Sequence, residues 1–491
     1  MNAIFIAIGL CLAFLLLVTL AVILTRTFGM TSKQVKVEPV IDIEVDGKEA
    51  AKHLAQAIKY KTISFEESAQ FDKEPFIGFH NSLEKNFPKV HSTLTKQIIN
   101  DFSLLYTWEG QNKKLKPMLL MAHMDVVPLE PGTEEDWTFP AFEGRVSDGF
   151  IWGRGTMDDK ASLLGILEAV EWLLEKGFRP QRTIYLALGH DEEVGGERGA
   201  SRIAALLHSR NVELEYILDE GLVISQGMIP SVSKPVAMVG VAEKGYLSLE
   251  LTTESEGGHS SMPPRNTAIG ILSTAIQRLE SNQMPAKIEG PVRLMFSSIA
   301  PDAKFLMRMV FANQWLLGRL MNRKMALSPG TNATLRTTTA ATVFEAGVKE
   351  NVLPKKAKAV VNFRILPGES IDQVVKHVRK TVKDPRIRIK TLEKIINNPT
   401  PVSDTKSLNF DLLQKTIRQV FPGVLVAPAL VVGAADTRHY IKLSKDIYRF
   451  VPLKLSPEDL KRPHGTDERV SVDNYKEIII FYIQLIRNSQ L

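Results

Sequence analysis

Hydrophobic and polar positions follow one pattern between residues 116 and 221 of this chain. Short apolar runs that end in acidic residues (KPMLLMAHMD, TIYLALGHDEE and LEYILDEG) alternate with a segment whose apolar residues have helical spacing, ASLLGILEAVEWLLEKG. The short runs predict buried strands, and the spaced segment predicts a helix that stops at its final glycine. Strands and helices in this alternation indicate a parallel sheet wrapped by helices.

A different pattern begins near Val241. KGYLSLELTTE and AVVNFRILPG alternate apolar and polar residues, which is typical of half-exposed strands, and helical stretches lie between and after them. Strand and helix signals alternate again beyond residue 395. We therefore predict an α/β protein with a doubly wound, mostly parallel sheet and an inserted α+β domain. The predicted units are a linker (30–47), the N-terminal portion of a catalytic domain (48–241), the inserted domain (242–395) and the C-terminal portion of the catalytic domain (396–491).

The first segment of the chain is strongly apolar. Residues 3–24 carry no charge and are long enough to cross a bilayer, and this run is longer than the apolar part of a typical cleavable signal peptide. Residues 1–29 are therefore predicted to be a signal peptide or a signal anchor. The protein is expected in the secretory pathway, either secreted or held on a membrane. The sequon at Asn332 agrees with that location, whereas basic residues after the apolar run weakly favour a cytoplasmic body.

Composition narrows the class of protein. A chain of 491 residues with 44% hydrophobic and 24% charged residues is long enough for two or more globular units. The net charge of +6 is modest, and basic residues are interspersed with acids, so no nucleic-acid partner is expected. The one cysteine, Cys11, lies in the apolar first segment, which excludes a disulfide framework and a cysteine-bound metal.

Acidic and histidine residues collect at the carboxyl ends of the predicted strands, where ligands bind in doubly wound sheets. Carboxylates and imidazoles gathered there would be costly unless a cation were bound between them. Nitrogen and oxygen donors suit divalent metals such as zinc, although an acidic run such as Asp191–Glu193, taken alone, is more often a solvated loop. The residues at these positions are His123, Asp125, Asp158, Glu192, Glu193 and Asp219.

A series of short stretches occurs in a fixed order along the chain: MAHMDVVP, GRGTMDDK, GHDEEVGG, ILDEG, GGHSSMPP, NVLP, VNFRILPG and HGTDERV. Together they resemble the motifs of the aminoacylase/carboxypeptidase (carboxypeptidase S-like) family of di-zinc metallopeptidases. The resemblance covers nearly the whole chain after residue 50. It implies two Zn²⁺ ions in each active site, an inserted domain that acts as a lid or dimerisation domain, and a homodimer as one oligomeric state to test.

The resemblance also implies how the metal ions would be held. His123 and Asp219 would bind one zinc ion, and Glu193 and His464 would bind the other. Asp158 would bridge the two ions, since a carboxylate has two oxygens. Water between the two ions would become acidic enough to attack an amide at neutral pH.

Other matching residues are implied to support the reaction. Asp125 lies two residues after the first histidine ligand in a strand, so both side chains point the same way and the carboxylate can orient the imidazole. Glu192 would be the general base that passes a proton from water to the leaving nitrogen. His259 would stabilise the oxyanion, in many family members from the partner subunit. Asn351 and Arg364 would bind the substrate carboxylate.

The implied function is a zinc-dependent amidohydrolase that acts on a small molecule. It would hydrolyse N-fatty-acyl amino acids and, in reverse, synthesise them from a free fatty acid and an amino acid. The alternative is a carboxypeptidase or dipeptidase that removes C-terminal residues from short peptides, which would share every catalytic residue. A metal-free binding protein on the same scaffold is disfavoured, because all five predicted ligands and both acids are present.

Two stretches have no settled interpretation. Residues 282–330 are rich in Met, Phe, Leu and basic residues, and they predict either an ordinary helix pair with its own core or a surface for acyl chains and lipid. A lipid or lipoprotein surface is therefore a candidate partner. GAADTRHY departs from the usual family pattern, so no role is assigned to Asp436 or Arg438.

Overall fold

The computed structural model describes residues 2–66, 70–392 and 396–490. The helices are α1 (Asn2–Phe28), α2 (Gly47–Ile58), α3 (Glu74–Asn86), α4 (Pro88–Thr93), α5 (Lys160–Glu175), α6 (Ala200–Ser209), α7 (Ala268–Ser281), α8 (Gly290–Ile299), α9 (Phe305–Ala312), α10 (Gln314–Met325), α11 (Pro329–Leu335), α12 (Ile371–Val382), α13 (Leu408–Val420) and α14 (Val472–Asn488). The strands are β1 (Thr95–Ile99), β2 (Ser103–Trp108), β3 (Met118–His123), β4 (Arg145–Ser147), β5 (Phe150–Trp152), β6 (Ile184–Gly189), β7 (Ile217–Ser225), β8 (Val236–Glu243), β9 (Gly245–Glu254), β10 (Gly258–His259), β11 (Thr338–Ala346), β12 (Val352–Leu353), β13 (Lys356–Ile365), β14 (Ile387–Thr391), β15 (Leu425–Val431), β16 (Ile447–Leu455) and β17 (Arg469–Ser471). The predicted domain boundary at residue 395 lies outside the described residues.

An eight-stranded main sheet has the order β1-β2-β6-β3-β7-β16-β8-β15. The neighbours β6 and β3, β3 and β7, β7 and β16, and β8 and β15 are parallel. The pairs β1–β2, β2–β6 and β16–β8 are antiparallel. The predicted α/β fold with a mixed, mostly parallel sheet is therefore confirmed.

Strand β3 shows why the apolar runs fold as buried strands. Side chains alternate between the two faces of a strand. Leu119 and Met121 join the apolar cluster that includes α6, whereas Met118 and Leu120 join the larger cluster that includes α5 and α14. All residues of β3 are buried, because helices cover both faces of the sheet. The helix predicted between these strands is α5, and Gly177, with φ of 70°, follows its end.

Strand β7 is longer than predicted. ILDEG was expected to end a strand in acidic residues, but β7 continues through Asp219 and Glu220 to Ser225. It continues because its later residues still pair with β16 and β8. Its parallel pairing with β3 stops at Leu218, so Asp219 lies next to the point where β3 and β7 separate.

The inserted domain contains a separate antiparallel sheet with the order β11-β13-β9-β14. Alternate residues of β13 are buried, as the apolar and polar alternation predicted, since α7 and α12 pack on this sheet and share its apolar core. The edge strand β11 is largely exposed.

Helices α8–α11, residues 290–335, are called the helical insert below. Its first helix packs against β15, at the edge of the main sheet: Val292 and Phe296 belong to the same apolar cluster as Leu425 and Ala427. Met30, which follows α1, packs against this cluster as well. The apolar residues of the helical insert therefore have a core that they share with the catalytic domain.

The segment between α1 and α2, predicted as a linker, contains no helix or strand but lies along the catalytic domain. Nε2 of Gln34 donates to the carbonyl oxygen of Val426 at 2.9 Å, and Oε1 of Gln34 accepts the N–H of Val426 at 2.8 Å. The N–H of Val40 donates to the carbonyl oxygen of Gln419 at 2.9 Å. These bonds hold the segment against β15 and α13.

Candidate functional site

Loops that carry acidic and histidine residues leave the same edge of the main sheet. His123 is the last residue of β3, and Glu192 and Glu193 lie in a short 3₁₀ turn after β6. The two strands are parallel neighbours, with His123 opposite Gly189, so their carboxyl ends open side by side. Asp158 reaches the same edge from the loop before α5.

Four of the five predicted metal ligands are in contact with one another. Nε2 of His123 lies 3.0 Å from Oδ1 of Asp158, and Oδ2 of Asp158 lies 3.0 Å from Nε2 of His464. Nε2 of His464 also lies 3.4 Å from Oε2 of Glu193. Ligand atoms of His123, Asp158 and Glu193 all lie within 4.8 Å of one another, so one cation could contact all three. Asp158 lies between the two imidazoles.

Buried carboxylate oxygens without a hydrogen-bond partner among the described residues surround these contacts. They are Oε1 of Glu193, Oδ2 of Asp219, Oδ1 of Asp159, Oδ1 of Asp191 and Oδ1 of Asp436. A buried carboxylate without a partner is costly unless a cation binds to it. Nitrogen and oxygen donors suit Zn²⁺ and several other divalent metals. The residues in contact therefore fit a bound metal centre, and the fifth predicted ligand, Asp219, has one of the unpartnered oxygens.

Burial and mutual repulsion change the pKa values of the acids at this edge. Burial raises the pKa of Glu192 well above its usual range, and the charges of Asp436 and Glu193 raise it further. Burial also raises the pKa of Glu220 well above its usual range and that of Asp219 to about 6. The chain thus places more acids here than it provides cations to balance.

The pKa values of the two histidines are also raised, which for a histidine favours the charged form. Hydrogen bonds with Asp158 and Glu193 raise the pKa of His464 to about 10. Burial opposes the charged form of His123, but hydrogen bonds with Asp125 and Asp158 outweigh it and raise the pKa of His123 well above its usual range. A bound metal would replace these protons. We call the whole set the acidic cluster: His123, Asp158, Asp159, Glu192, Glu193, Asp219, Glu220, Asp436 and His464.

Asp125 makes more contacts than the sequence predicted. Nδ1 of His123 donates to the backbone carbonyl oxygen of Asp125 at 3.0 Å and lies 3.4 Å from Oδ1 of the same residue, so Asp125 orients this ring. Oδ1 also accepts the backbone N–H of Glu192 and Oδ2 accepts that of Glu193, each at 3.1 Å. The hydroxyl of Ser64 donates to Oδ2 at 2.5 Å. Asp125 therefore positions both glutamates of the loop between β6 and α6, residues 190–199, which we call the acidic loop.

A buried ion pair between Arg154 and Glu468 joins the loops that carry Asp158 and His464. Nη1 of Arg154 lies 2.8 Å from Oε2 of Glu468, and its Nη2 donates to the carbonyl oxygen of His464 at 3.2 Å. Oε1 of Glu468 accepts the N–H of Met157 at 2.7 Å and that of Asp158 at 3.3 Å. Sequence reasoning missed this pair. The available signal was the opposite charge of two residues inside the motifs GRGTMDDK and HGTDERV.

Asp191 and Asp436 support the acidic loop. Oδ2 of Asp191 accepts the N–H of Arg198 at 2.8 Å, and its carbonyl oxygen accepts the N–H of Gly196 at 2.7 Å. Gly196 has φ of 68°, and a Cβ atom there would lie 2.0 Å from Oδ1 of Asp436. Because only glycine permits this approach, Asp436 packs directly against the loop. Its motif alone did not indicate this position.

His259 and Asn351 lie in the inserted domain and are exposed. His259 belongs to β10, which pairs with β12, and its Nδ1 lies 2.8 Å from Oγ of Ser261. The N–H of Ser260 donates to the carbonyl oxygen of Asn351 at 3.2 Å. Across the described parts of the chain, no hydrogen bond or ion pair joins either side chain to the acidic cluster. The two predicted residues are thus near each other, and no described contact joins their side chains to the predicted metal ligands.

Arg364 and Arg438 lie within electrostatic range of each other. The guanidinium of Arg364 lies 4.6 Å from the centre of the Tyr246 ring. Burial lowers the pKa of Arg364, and repulsion from Arg438 contributes to the decrease. Arg438 donates to the carbonyl oxygen of Gly195 in the acidic loop. Two guanidinium groups within electrostatic range of each other, one of them bonded to the loop after β6, suit an anionic group such as a carboxylate.

The chain is similar to known proteins in sequence and in fold. Residues 119–488 match the Peptidase family M20/M25/M40. The chain is 45% identical to "Probable carboxypeptidase S-like 2" of Dictyostelium discoideum, over 97% of this chain and 93% of that protein. It is 42% identical to an N-fatty-acyl-amino acid synthase/hydrolase of Xenopus tropicalis, over 96% of this chain and 93% of that protein. The fold is similar to the crystal structure of an M20 family metallo-carboxypeptidase of Sulfolobus solfataricus, with a TM-score of 0.64, 17% identity, and coverage of 89% of this chain and 98% of that one.

Proposed function

Because the chain belongs to the peptidase family M20/M25/M40 and is a metal-dependent hydrolase of amide bonds, we propose that its substrates are N-fatty-acyl amino acids. The observation that carries this proposal is the 42% identity to the X. tropicalis N-fatty-acyl-amino acid synthase/hydrolase over 96% of the chain. A catalyst lowers the barrier in both directions, so the same site would also form these amides from a free fatty acid and an amino acid.

The proposed metal content is two zinc ions in each site. His123 and Asp219 would hold one, Glu193 and His464 the other, and Asp158 would lie between them. When bound, zinc polarises a carbonyl and lowers the pKa of bound water. The contacts among four of these side chains and the unpartnered oxygen of Asp219 support this assignment.

The chain's own residues would carry the protons and hold the substrate. Glu192 would accept a proton from the attacking water and donate it to the leaving nitrogen, a task suited to a carboxylate whose pKa is raised by burial. Arg364, with Asn351, would hold the substrate carboxylate, and the nearby Arg438 would add positive charge. His259 would donate to the carbonyl oxygen, and because it is exposed and apart from the acidic cluster, we propose that it serves the site of a second subunit in a homodimer.

The proposed location is the secretory pathway. An apolar N-terminal helix, Ile4–Phe28, is long enough to cross a membrane and is compatible with a signal sequence. The sequon at Asn332 agrees with this location.

A carboxypeptidase acting on short peptides is the second candidate, favoured by the 45% identity to the D. discoideum carboxypeptidase S-like protein. Both candidates use the same metal ligands and the same base. They differ on the acyl side of the scissile amide, which is a fatty chain in the first and an amino acid in the second.

The test is a set of rate measurements with the zinc-loaded full chain on N-oleoyl-phenylalanine, N-acetyl-phenylalanine and a panel of dipeptides. We expect kcat/KM to be at least about tenfold higher for the oleoyl amide than for the others, and we expect a chelator to abolish the activity. Preference for the dipeptides would replace the first candidate with the second. Glu192→Gln protein serves as the control for contaminating amidases.

A further inference from the structure

The N-terminal helix α1 packs on the helical insert through its last three turns. Residues 4–18 are exposed, and the less exposed positions after them are Thr19, Ile23, Leu24 and Thr27. Thr19, Ile23 and Thr27 follow one another at intervals of four residues, as expected of one helix face. Nδ2 of the buried Asn313 lies 3.3 Å both from the carbonyl oxygen of Ile23 and from Oγ1 of Thr27. The end of α1 is therefore an integral element of the folded structure.

The first residues after α1 are held in the same way. Nη2 of Arg308 donates to the carbonyl oxygens of Phe28 at 3.3 Å and Met30 at 2.6 Å. The rings of Phe28 and Phe305 lie 5.7 Å apart. Cleavage of the chain after α1 would remove these partners and uncover the apolar residues of α9.

The length of the exposed portion of α1 sets the height of the helical insert relative to a bilayer. Residues 4–18 extend for roughly 22 Å, whereas the hydrocarbon core of a bilayer is about 30 Å thick. If α1 spans the membrane, about five more of its residues must lie within the hydrocarbon. The spanning portion of the helix then extends to Ile23. The residues of the helical insert that contact Ile23 must then lie at the membrane interface.

The exposed residues of α10, which we call the outer face of the helical insert, have the composition of an interfacial helix. On α10 the exposed residues include Trp315 (55% exposed), Leu316 (47%) and Leu320 (55%), with the exposed Arg319 and Arg323 between and after them. Apolar and aromatic residues interleaved with basic ones are typical of helices that lie in the headgroup region.

A cavity of about 610 Å³ lies where α1 meets the helical insert. Arg26, Lys287, Arg293 and Arg319 line it, with Glu289 as its one acidic residue. Within the described residues, none of the four basic side chains forms an ion pair. An excess of cations in a cavity next to a membrane-spanning helix suits the headgroup of an anionic phospholipid.

We propose that α1 is a retained membrane anchor, that the outer face of the helical insert lies on the same leaflet, and that anionic phospholipid headgroups occupy the cavity between them. The proposal does not depend on the substrate of the acidic cluster. The membrane proposal can therefore fail while the proposed function holds, and the proposed function can fail while the membrane proposal holds.

The first test is the N-terminus of the full-length protein recovered from the membranes of expressing cells, measured by intact mass. A retained α1 is the expected result. A chain that begins near residue 30 would overturn the anchor.

The second test uses the full chain in vesicles of phosphatidylcholine and phosphatidylserine. Cys11 is the one cysteine, so Cys11→Ser protein with Leu316→Cys accepts one fluorescent label. Ile98→Cys is the matched control, because Ile98 is 53% exposed and lies on β1, at the opposite edge of the main sheet from β15. Spin-labelled acyl chains should quench the label at 316 and leave the label at 98 unaffected. Equal quenching at both positions would overturn the proposed membrane contact.

The third test measures the motionally restricted fraction of spin-labelled phosphatidylserine around the full chain. Replacing Arg293 and Arg319 with Gln should lower the affinity for phosphatidylserine, relative to that for phosphatidylcholine, by about fivefold for each charge removed. Arg145→Gln with Arg388→Gln removes two exposed charges elsewhere and should leave it unchanged. An unchanged fraction in the Arg293→Gln, Arg319→Gln protein, with a normal melting temperature, would overturn the headgroup site.

Discussion

The buried pair of Glu243 and Arg449 and the acidic cluster both lie in the catalytic domain, but only the pair contains an arginine to balance its carboxylate. The side chains of Glu243 and Arg449 are each 1% exposed and form an ion pair. Glu243 also accepts from the hydroxyl of Thr437 at 2.6 Å and from the N–H of Ala435 at 3.2 Å. In the acidic cluster, by contrast, buried oxygens such as Oδ2 of Asp219 have no hydrogen-bond partner among the described residues. Folding alone supplies the cation of the first group, whereas the second needs a cation from solution.

The largest expected effect comes from Glu192→Gln, which keeps the size of the side chain and removes its ability to accept a proton. We expect kcat to fall by about 10²–10⁴-fold, while the metal content measured by mass spectrometry stays the same. Glu197→Gln changes an exposed acid of the same loop and should have near-normal activity. If Glu192→Gln protein keeps near-normal activity, another group is the base.

The second prediction concerns the buried ion pair of Glu243 and Arg449. Arg449→Met leaves the charge of Glu243 buried without its cation, and we expect a loss of about 3–5 kcal/mol in the free energy of unfolding. Urea denaturation measures it. The double variant Arg449→Met, Glu243→Gln should recover most of this loss, because no buried charge is left. A single variant as stable as the double one would contradict the expectation.

Removal of one charge from the acidic cluster should change the stability of the protein in opposite directions with and without bound metal. Asp219→Asn removes one repelling charge, so we expect it to stabilise the metal-free protein by about 1–3 kcal/mol. The same substitution removes a proposed ligand and should lower the melting temperature of the zinc-loaded protein. Asp411→Asn, on the exposed side of α13, should show neither effect. The same sign with and without zinc would mean that Asp219 is not a ligand.

The smallest expected effect concerns Arg364 and Arg438, for which the described residues provide no ion-pair partner. Arg364→Lys keeps the charge but removes the planar fork that binds a carboxylate through two bonds. We expect KM for N-oleoyl-phenylalanine to rise by about tenfold with little change in kcat, as measured by steady-state kinetics. Arg388→Lys, on β14 of the same sheet and separated from β13 by β9, is the control. A fall in kcat with an unchanged KM would argue against a role in substrate binding.

The strands and helices that could be predicted are those whose burial follows a local pattern. β3 is continuously apolar because helices cover both of its faces, and β13 alternates because α7 and α12 cover one face. The extension of β7 was missed because its later residues are held by pairing with β16 and β8, which acidic residues in the sequence do not reveal. The apolar face of the helical insert is visible in the sequence, but its contact with β15 is not.

The residues of the candidate site also divide into those that a local pattern could predict and those that it could not. Spacing and motif resemblance predicted His123, Asp158, Glu193 and His464, which the structure brings into contact. The residues that were missed contact loops distant in sequence: Ser64, Arg154, Glu468 and Asp436. Such contacts depend on how loops meet in three dimensions, and no local pattern of residue types encodes them.

Asp125 limits how this sequence can change over time. Asparagine at this position would turn a donor toward one of the two backbone N–H groups that the carboxylate now accepts. Glutamate would be longer by one carbon at a position that is 0% exposed, and close packing of the interior resists added volume. An accepted replacement would need simultaneous changes at Ser64 and in the acidic loop. Since mutations arise one at a time, we expect a lineage that acquires this arrangement to be unable to leave it by single steps.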